Sequence, residues 1–335
     1  MMEEKISVVV VTYNQEGTIG RTLDSILCQQ CHLPFEIIIG EDCSTDHTRT
    51  VCQDYAQRYP DIIRLFCNKH NKGIIDNYFD CLLEAKGKYI ADCAGDDFWT
   101  DPQKLEKEVT IMETHDQVSI VHTNWCYYDE DTQKTTPAPP HPFTEAITPG
   151  KEMLEAILTQ TNMSVMHLCT SLYRTDLFRK AYEEDTDLFR NKAYGCEDMQ
   201  VAFTMARQGD VAYLPDVTLN YSIGHPSASA FTDEGRQFRF VRQVTSLSCH
   251  LAQKHGLWNT GFESFVGKRL YALGMHAFRA HDHQLYEETL ACESTWKVKR
   301  SIRHSLLFST MRHEWLWTIG LQVRQAFVWL KKALR

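Results

Sequence analysis

The residues of this chain best suited to hold a hard divalent cation are the adjacent carboxylates Asp96 and Asp97, which precede the aromatic pair Phe98-Trp99. With a phosphate substrate, Mg²⁺ or a similar ion is usually held by one or two carboxylates, phosphate and water completing its shell. The competing reading is a turn whose Asp caps a helix ahead of Pro102. Asp42 closes an apolar run and can accept a hydrogen bond from a base or ribose, or cap the helix that begins near Ser44. Glu197-Asp198 opens a helical stretch, where the helix dipole favours an ionised Asp198. An ionised carboxylate there can take a proton from an attacking hydroxyl, or simply cap the helix. His225, in Tyr221-Ser-Ile-Gly-His-Pro226, can ligate a metal or hydrogen-bond a phosphate. With 15 histidines in the chain, any single one is more often incidental.

The elements that must position these side chains alternate between two periods. Ile6–Thr12 is a continuous β-branched run, the pattern of a strand buried on both faces. Further strands are predicted at Phe35–Ile39, Ile62–Cys67, Tyr89–Cys93 and Ser119–Tyr128. Between them run helical patterns through Ile19, Leu23, Ile26, Leu27 and Gln30, then Val51, Tyr55 and Tyr59, then Ile75, Phe79, Leu82 and Leu83, and over Gln103–Thr114. Ser44 is expected to cap the second helix and Pro60 to stop it. Strand–helix alternation implies an α/β fold, a parallel-rich sheet with helices on both faces. Such sheets bind ligands outside the carboxyl ends of their strands, which points to Thr12-Tyr13-Asn14-Gln15-Glu16, Glu41–Asp46 and Ala94–Asp97. No Gly-x-Gly-x-x-Gly or Gly-x-x-x-x-Gly-Lys-Ser/Thr loop is present, so a bound nucleotide needs a metal for its phosphates. Thr135–Pro149 holds five of the ten prolines and reads as a loop without structure of its own. Helices and short strands are expected from Lys151 to about Ser222, and only helices beyond Arg236. The expected division is a domain over 1–235 and a helical region over 236–335.

The formal net charge of −9 argues against a general nucleic-acid binder, whose footprint is basic. The charge is uneven: Lys297–Arg335 carries nine Lys/Arg and one acid, Glu314, leaving −17 on the rest. Within that segment an apolar stripe runs through Leu316, Ile319, Val323, Phe327, Leu330 and Leu334. Trp315, Trp317 and Trp329 lie near it, as do Arg324, Lys331, Lys332 and Arg335. Such a helix can lie on an anionic membrane or pack its basic face on the acidic body. No secretory signal or spanning segment is read, and most of the 12 cysteines fall in apolar runs, as in a reducing cytoplasm. Cys28-Gln-Gln-Cys31 has half-site spacing that no second pair answers.

Taken together, these motifs resemble the family 2 glycosyltransferases over roughly Ile6–Ser229. Val8-Val-Val-Val-Thr-Tyr-Asn14 is similar to the family's first strand and nucleotide loop. Gly40-Glu-Asp-Cys-Ser-Thr-Asp46 is similar to its Asp-Asp-Gly-Ser-x-Asp, with Asp42 in the uracil-contacting place and Cys43 replacing glycine. Asn71-Lys-Gly73, Asn77, Ala85, Gly87 and Tyr89-Ile90 follow its next segment. Ala94-Gly-Asp96-Asp97-Phe-Trp99 falls at the Asp-x-Asp motif, Glu197-Asp198 at the pair carrying the catalytic base, and His225 at a histidine near the diphosphate. Two positions depart: Ala94 replaces the first Asp of Asp-x-Asp, and Ser222 replaces an arginine that could have met the diphosphate.

The resemblance implies a GT-A fold and inverting transfer from a nucleotide-diphosphate sugar, UDP-linked, to a glycan or lipid-linked acceptor hydroxyl, as in polysaccharide or glycolipid synthesis. Under it, Thr12, Tyr13, Asn14, Glu16, Asp42, Asp97 and Glu197 bind substrate, Asp96 and His225 hold Mn²⁺ or Mg²⁺, and Asp198 is the base. The expected setting is the cytoplasm, with 297–335 offering a contact to the inner face of the plasma membrane. A nucleotide-sugar-binding protein with weak catalysis, and a nucleotidyltransferase on a similar sheet, stand as alternatives.

Overall fold

The computed structural model describes residues 3–143, 145–160, 165–224 and 233–333, with the side chains of 327, 328 and 331–333 also outside the description. The chain divides near residue 225 into two compact units. The first contains, in order, β1 (Glu3–Thr12), α1 (Ile19–Leu27), β2 (Phe35–Glu41), α2 (Thr48–Arg58), β3 (Ile63–Cys67), α3 (Ile74–Glu84), β4 (Gly87–Asp92), β5 (Phe98–Trp99), α4 (Lys104–Thr114) and β6 (Val118–Asp129). It continues with β7 (Lys134–Pro137), β8 (Ile147–Thr148), α5 (Gly150–Thr159), β9 (Ser171–Arg174), α6 (Thr175–Glu184), α7 (Thr186–Arg190), α8 (Asp198–Gln208) and β10 (Asp210–Ile223).

These strands form one sheet in the order β3-β2-β1-β4-β9-β6-β10-β5, with β7 beside β6 and β8 beside β10. β1 lies parallel between β2 and β4, and β2 is parallel to β3. Ile6 and Val8–Val10 are wholly buried, as a strand covered on both faces requires. Val8 and Val10 join Leu23 and Tyr55 in one core cluster, while α3 packs against β1 and β2. β9 is antiparallel to both β4 and β6, so β6 and its parallel partner β10 run in the same sense as β1. The carboxyl ends of β1, β2, β3, β4, β6 and β10 therefore share one edge. The segment leading into β9 also arrives there, and α8, which feeds back into β10, begins there.

Two expectations about local structure change. Thr135–Pro149 is not structureless, because β9 pairs with β6 only at Ile120–His122. The backbone of Cys126–Asp129 still needs partners, and β7 supplies them, while β8 pairs with β10. Ser44 does not cap α2. It accepts a hydrogen bond from the Asn14 N–H at 3.0 Å, and Asp46 takes the Thr48 N–H at 2.9 Å instead.

The second unit holds α9 (Glu234–Lys254), α10 (Thr260–Ala280), α11 (His283–Trp296), α12 (Ile302–Arg312) and α13 (Glu314–Ala333). Asp233, Asn259, Asp282 and Ser301 cap four of them through side-chain acceptors. Trp317 fastens α13: its ring is buried and stacked on Phe278, and its Nε1 donates to the Phe278 carbonyl at 2.9 Å.

Gly150 opens α5 against the end of α8, where a Cβ would strike the backbone carbonyls of Ala206 and Gly209. Gly150→Ala must therefore displace α8, which carries Asp198 at its other end. Overpacking of this kind costs about 1–3 kcal/mol. We expect a melting temperature several degrees lower, read by thermal denaturation; an unchanged melting temperature would show that α5 and α8 do not need this approach.

Candidate active site

At the shared edge, the loops after β1 and β2 are joined by reciprocal hydrogen bonds. Asn14, at φ +53°, accepts from the Thr45 N–H at 2.8 Å. Gln15 N donates to the Thr48 hydroxyl at 2.7 Å, Glu16 N to Asp46 at 3.1 Å, and His47 N to Glu16 at 2.7 Å. Thr12 is buried and its hydroxyl donates to Gln15 Oε1 at 2.7 Å. Gly95 comes so close that a Cβ there would lie 2.8 Å from Thr12 Oγ1. Held this way, the loop leaves the Tyr13 ring exposed, available to a planar ligand.

Asp42 is 3% exposed and faces inward. Its carboxylate accepts from Asn68 Nδ2 and Lys72 N, each at 2.8 Å, and from Gly73 N at 2.9 Å. It is not a helix cap: it organises the loop 68–73 at this edge. Neighbouring Glu41, wholly buried, is paired with Arg49.

The turn after β4 presents Asp96 half-buried and Asp97 only 1% exposed. Asp97 Oδ1 accepts the Ser222 N–H at 2.9 Å, and its Oδ2 has no hydrogen-bond partner. Burial, then the charge of Asp96, pushes the Asp97 carboxyl well above the usual carboxylate range. Asp97 thus acts on the site by tying the end of β10 to the turn.

The Asp96 carbonyl accepts from the Ser222 hydroxyl at 2.6 Å and from Arg21 Nη2 at 3.2 Å. Arg21 also reaches Ser222 Oγ at 3.2 Å, pairs with Glu130 and stacks its guanidinium 4.1 Å from the Phe98 ring centroid. A cation therefore does stand at Ser222, delivered from α1. Sequence reasoning missed Arg21 because its partners lie far along the chain and nothing in its own neighbourhood marks it.

Asp198 is the first residue of α8 and its side chain reaches solvent, while Glu197 is half-buried. The Met199 N–H donates to Asp198 Oδ1 at 2.7 Å. Desolvation raises the Asp198 carboxyl, with the Met199 N–H opposing the shift. Glu197 is raised too, by burial and then by the Asp198 charge. His225 lies outside the described residues.

Behind these groups sits Asp92, 4% exposed and pushed up to about 7 by burial. The Tyr78 and Tyr173 hydroxyls lie near enough to oppose that shift, yet neither completes a hydrogen bond to it. On the β6–β10 side, His167 packs between Trp125 and Tyr221, its ring centroids 6.0 Å and 4.7 Å from theirs. Burial lowers its imidazole to about 4, so it is neutral near pH 7.

For a hard cation the donors of this edge are oxygens, Asp96 being the half-buried carboxylate of the turn, and a phosphate would supply most of the shell. The Asp97, His167 and Cys169 donors also cluster, but there Asp97 and Cys169 are buried, and a thiol suits softer metals. They do not match Mg²⁺ or Mn²⁺.

Residues 7–181 match the family model described as glycosyl transferase family 2. The chain is 38% identical over 135 residues to an uncharacterised protein of Mycobacterium tuberculosis, covering 40% of this chain and 39% of that one. It thus spans about two fifths of the length of the first curated relatives it matches. It is 35% identical over 130 residues to the UDP-Glc:alpha-D-GlcNAc-diphosphoundecaprenol beta-1,3-glucosyltransferase WfaP of Escherichia coli, covering 38% of this chain and 48% of WfaP. Among solved structures, TarS 1-349 of S. aureus in complex with UDP-GlcNAc overlays with a TM-score of 0.56 at 17% identity, over 92% of this chain and 91% of that one. The mannosyltransferase PcManGT of Pyrobaculum calidifontis, in complex with GDP-Man and Mn2+, overlays at 0.53 and 16% identity, over 95% and 87%. The fold is GT-A, with an added C-terminal helical region.

The buried Asp92 makes stability depend on pH in a definite direction. Its folded pKa of about 7 lies above the unfolded value near 4, so between those values the native state binds the extra proton. Its contribution to stability therefore falls as pH rises through that window. Asp92→Asn should gain in melting temperature relative to the unaltered chain at pH 8 compared with pH 5. An equal difference at both pH values would show that Asp92 is not held protonated.

Proposed function

The chain belongs to glycosyl transferase family 2, and from that premise we propose that it is a metal-dependent, inverting hexosyltransferase. It moves a sugar from a UDP-linked donor to a hydroxyl of a glycan or lipid-linked acceptor in the cytoplasm, in the synthesis of cell-surface polysaccharide or glycolipid. The observation that carries this is the meeting of Tyr13, Asp42, Asp96 and Asp198 at the carboxyl edge of one sheet, where such folds take ligands. The UDP-Glc donor and diphosphoundecaprenol acceptor in the name of WfaP, and the UDP-GlcNAc bound to TarS, support the donor and acceptor classes. Residues 1–235 form the catalytic domain in this reading, and 236–335 an accessory helical region.

The nucleoside lies along the joined loops, with Tyr13 against the base and the Asp42-ordered loop 68–73 beside it. Asn14, Glu16 and Thr12 hold that surface rigid rather than reaching into it. Glu197 lines the acceptor side next to Asp198, and Asp97 supports the turn from below. The Asp198 carboxylate takes the proton of the acceptor hydroxyl as its oxygen bonds to the anomeric carbon. The carbon–oxygen bond to the diphosphate breaks on the opposite face, its electron pair leaving with UDP. A raised Asp198 is a stronger base than an ordinary aspartate, which suits this transfer. Asp96, with His225 by the family pattern, would hold Mn²⁺ or Mg²⁺, which would supply positive charge to offset that of the leaving diphosphate. The Mn2+ in the PcManGT complex supports this choice of cation. Arg21 stands beside Asp96 as a second positive charge for the same phosphates.

Loss of a general base typically costs about a hundred- to ten-thousand-fold. Asp198→Asn should therefore lose at least about a hundredfold in UDP release with acceptor present, while donor affinity by calorimetry stays within a few fold. A collapse of donor binding together with turnover would remove Asp198 from this role. Arg21→Met should do the reverse, weakening donor binding about tenfold, the size of one charge-assisted hydrogen bond. Equal donor affinity in the two proteins would dismiss Arg21 as a phosphate contact. The departure at Ala94 favours a second reading, a nucleotide-sugar-binding protein without turnover. Tight UDP-sugar binding by the unaltered chain, with no sugar transfer or hydrolysis under Mn²⁺, would establish it.

A further inference from the structure

The last two helices expose large apolar side chains that the second unit leaves uncovered. Ile302 is 88% exposed, and on α13 Trp315, Val323 and Trp329 are 65%, 64% and 69% exposed. Ile319 and Leu330 are about half exposed on the same side of α13. Trp317 points the opposite way, buried on Phe278, so the helix is docked by one face and bare on the other. No helix among the described residues is long and apolar enough to cross a membrane.

The charge along this segment is predominantly basic. Of the ten charged Lys, Arg and Glu residues from Lys297 to Arg335, nine are basic, and the single acid, Glu314, is already engaged by His281 and His283 at 2.8 and 2.9 Å. Beside Ile302 lies a concavity of about 490 Å³ within the same unit. Its lining includes three cations, Lys268, Lys299 and Arg303, against one acid, Glu263, together with the hydroxyls of Thr260, Ser264 and Tyr271. The three cations are exposed, and among the described residues none of them forms an ion pair. Three cations and several hydroxyls next to exposed apolar side chains make a place for a phosphate whose ester carries acyl chains.

We propose that α12 and α13 dock the protein on an anionic phospholipid surface. Trp315, Val323 and Trp329 enter the interface, and the Lys268–Lys299–Arg303 concavity receives a lipid phosphate. Tryptophan suits this depth because its ring is apolar and its N–H remains near the headgroups. Basic residues near such a surface each contribute about a fivefold gain in partitioning, and an amphipathic helix adds its buried apolar area. A second copy of the chain would cover the apolar stripe but would bring two predominantly basic rims together, so the charge favours lipid over self-association. The docking requires nothing of the transfer chemistry.

The test is co-sedimentation of the full chain with vesicles of phosphatidylcholine alone, and of equal parts phosphatidylcholine and phosphatidylglycerol. Two full-length variants are compared: Trp315→Ser/Val323→Ser/Trp329→Ser, and Lys299→Glu/Arg303→Glu. All five positions are exposed, and matched circular dichroism and melting temperature confirm folding. We expect binding to the phosphatidylglycerol vesicles only, weakened by salt and reduced at least about tenfold in each variant. UDP-sugar turnover in detergent-free buffer, measured separately, should be equal in all three proteins, so a failed transferase reading stays distinct from a failed docking. Equal binding to both vesicle types, or unchanged binding by the variants, would overturn the proposal. So would a dimer in light scattering that the triple serine variant dissolves while vesicle binding is absent.

Discussion

The carboxyl edge of the sheet depends on one constraint: many carboxyl groups crowd into a place where water cannot screen them. Each needs a partner, a proton or a solvent path. Glu41 has Arg49, and Asp42 has an amide and two backbone N–H groups. Asp97 has the Ser222 N–H on one oxygen and nothing on the other. Asp92 has two tyrosine hydroxyls that fall short of bonding it, and so it keeps a proton near neutrality. Asp198 reaches solvent from a helix terminus. The division of labour among chemically similar residues is thus set by burial and donors rather than by residue type.

Much of this was legible in the sequence, for physical reasons that can be named. β1 to β4 are short apolar-rich runs separated by helix-period segments, so a parallel-rich sheet with a common carboxyl edge was readable, though not the order of its strands. β9 was not legible: four residues, Ser171–Arg174, carry no period, yet they set the antiparallel crossing between β4 and β6. β7 was hidden by the prolines around it, because the need it meets arises on β6. The site showed the same split. Motif positions marked Asp42, Asp96 and Asp198, but Arg21 gains its place through partners at 96, 130 and 222, which no local pattern reveals. The direction of the Asp198 shift was also hidden, since a helix dipole can be read from sequence and the bulk of protein around a carboxyl cannot.

The charge imbalance noted in the sequence acquires a structural meaning on each unit. In the first, acids gather at strand ends, where cationic partners such as Arg21 and Arg49 answer some of them. In the second, the cations line a concavity and flank an uncovered apolar face. A single net value of −9 averages two surfaces that would attract ligands of different kinds.

The loop after β3 can change its surface without losing its hold on the sheet. Asp42 holds its carboxylate on the backbone of Lys72 and Gly73, and so couples a fixed strand end to a short surface loop. Bonds to backbone N–H groups are indifferent to the side chains those residues carry. Substitutions within 69–72 can therefore recolour the rim of the sheet edge there while its anchor stays intact. The fold keeps its architecture, and the chemistry displayed at that rim is left open to drift.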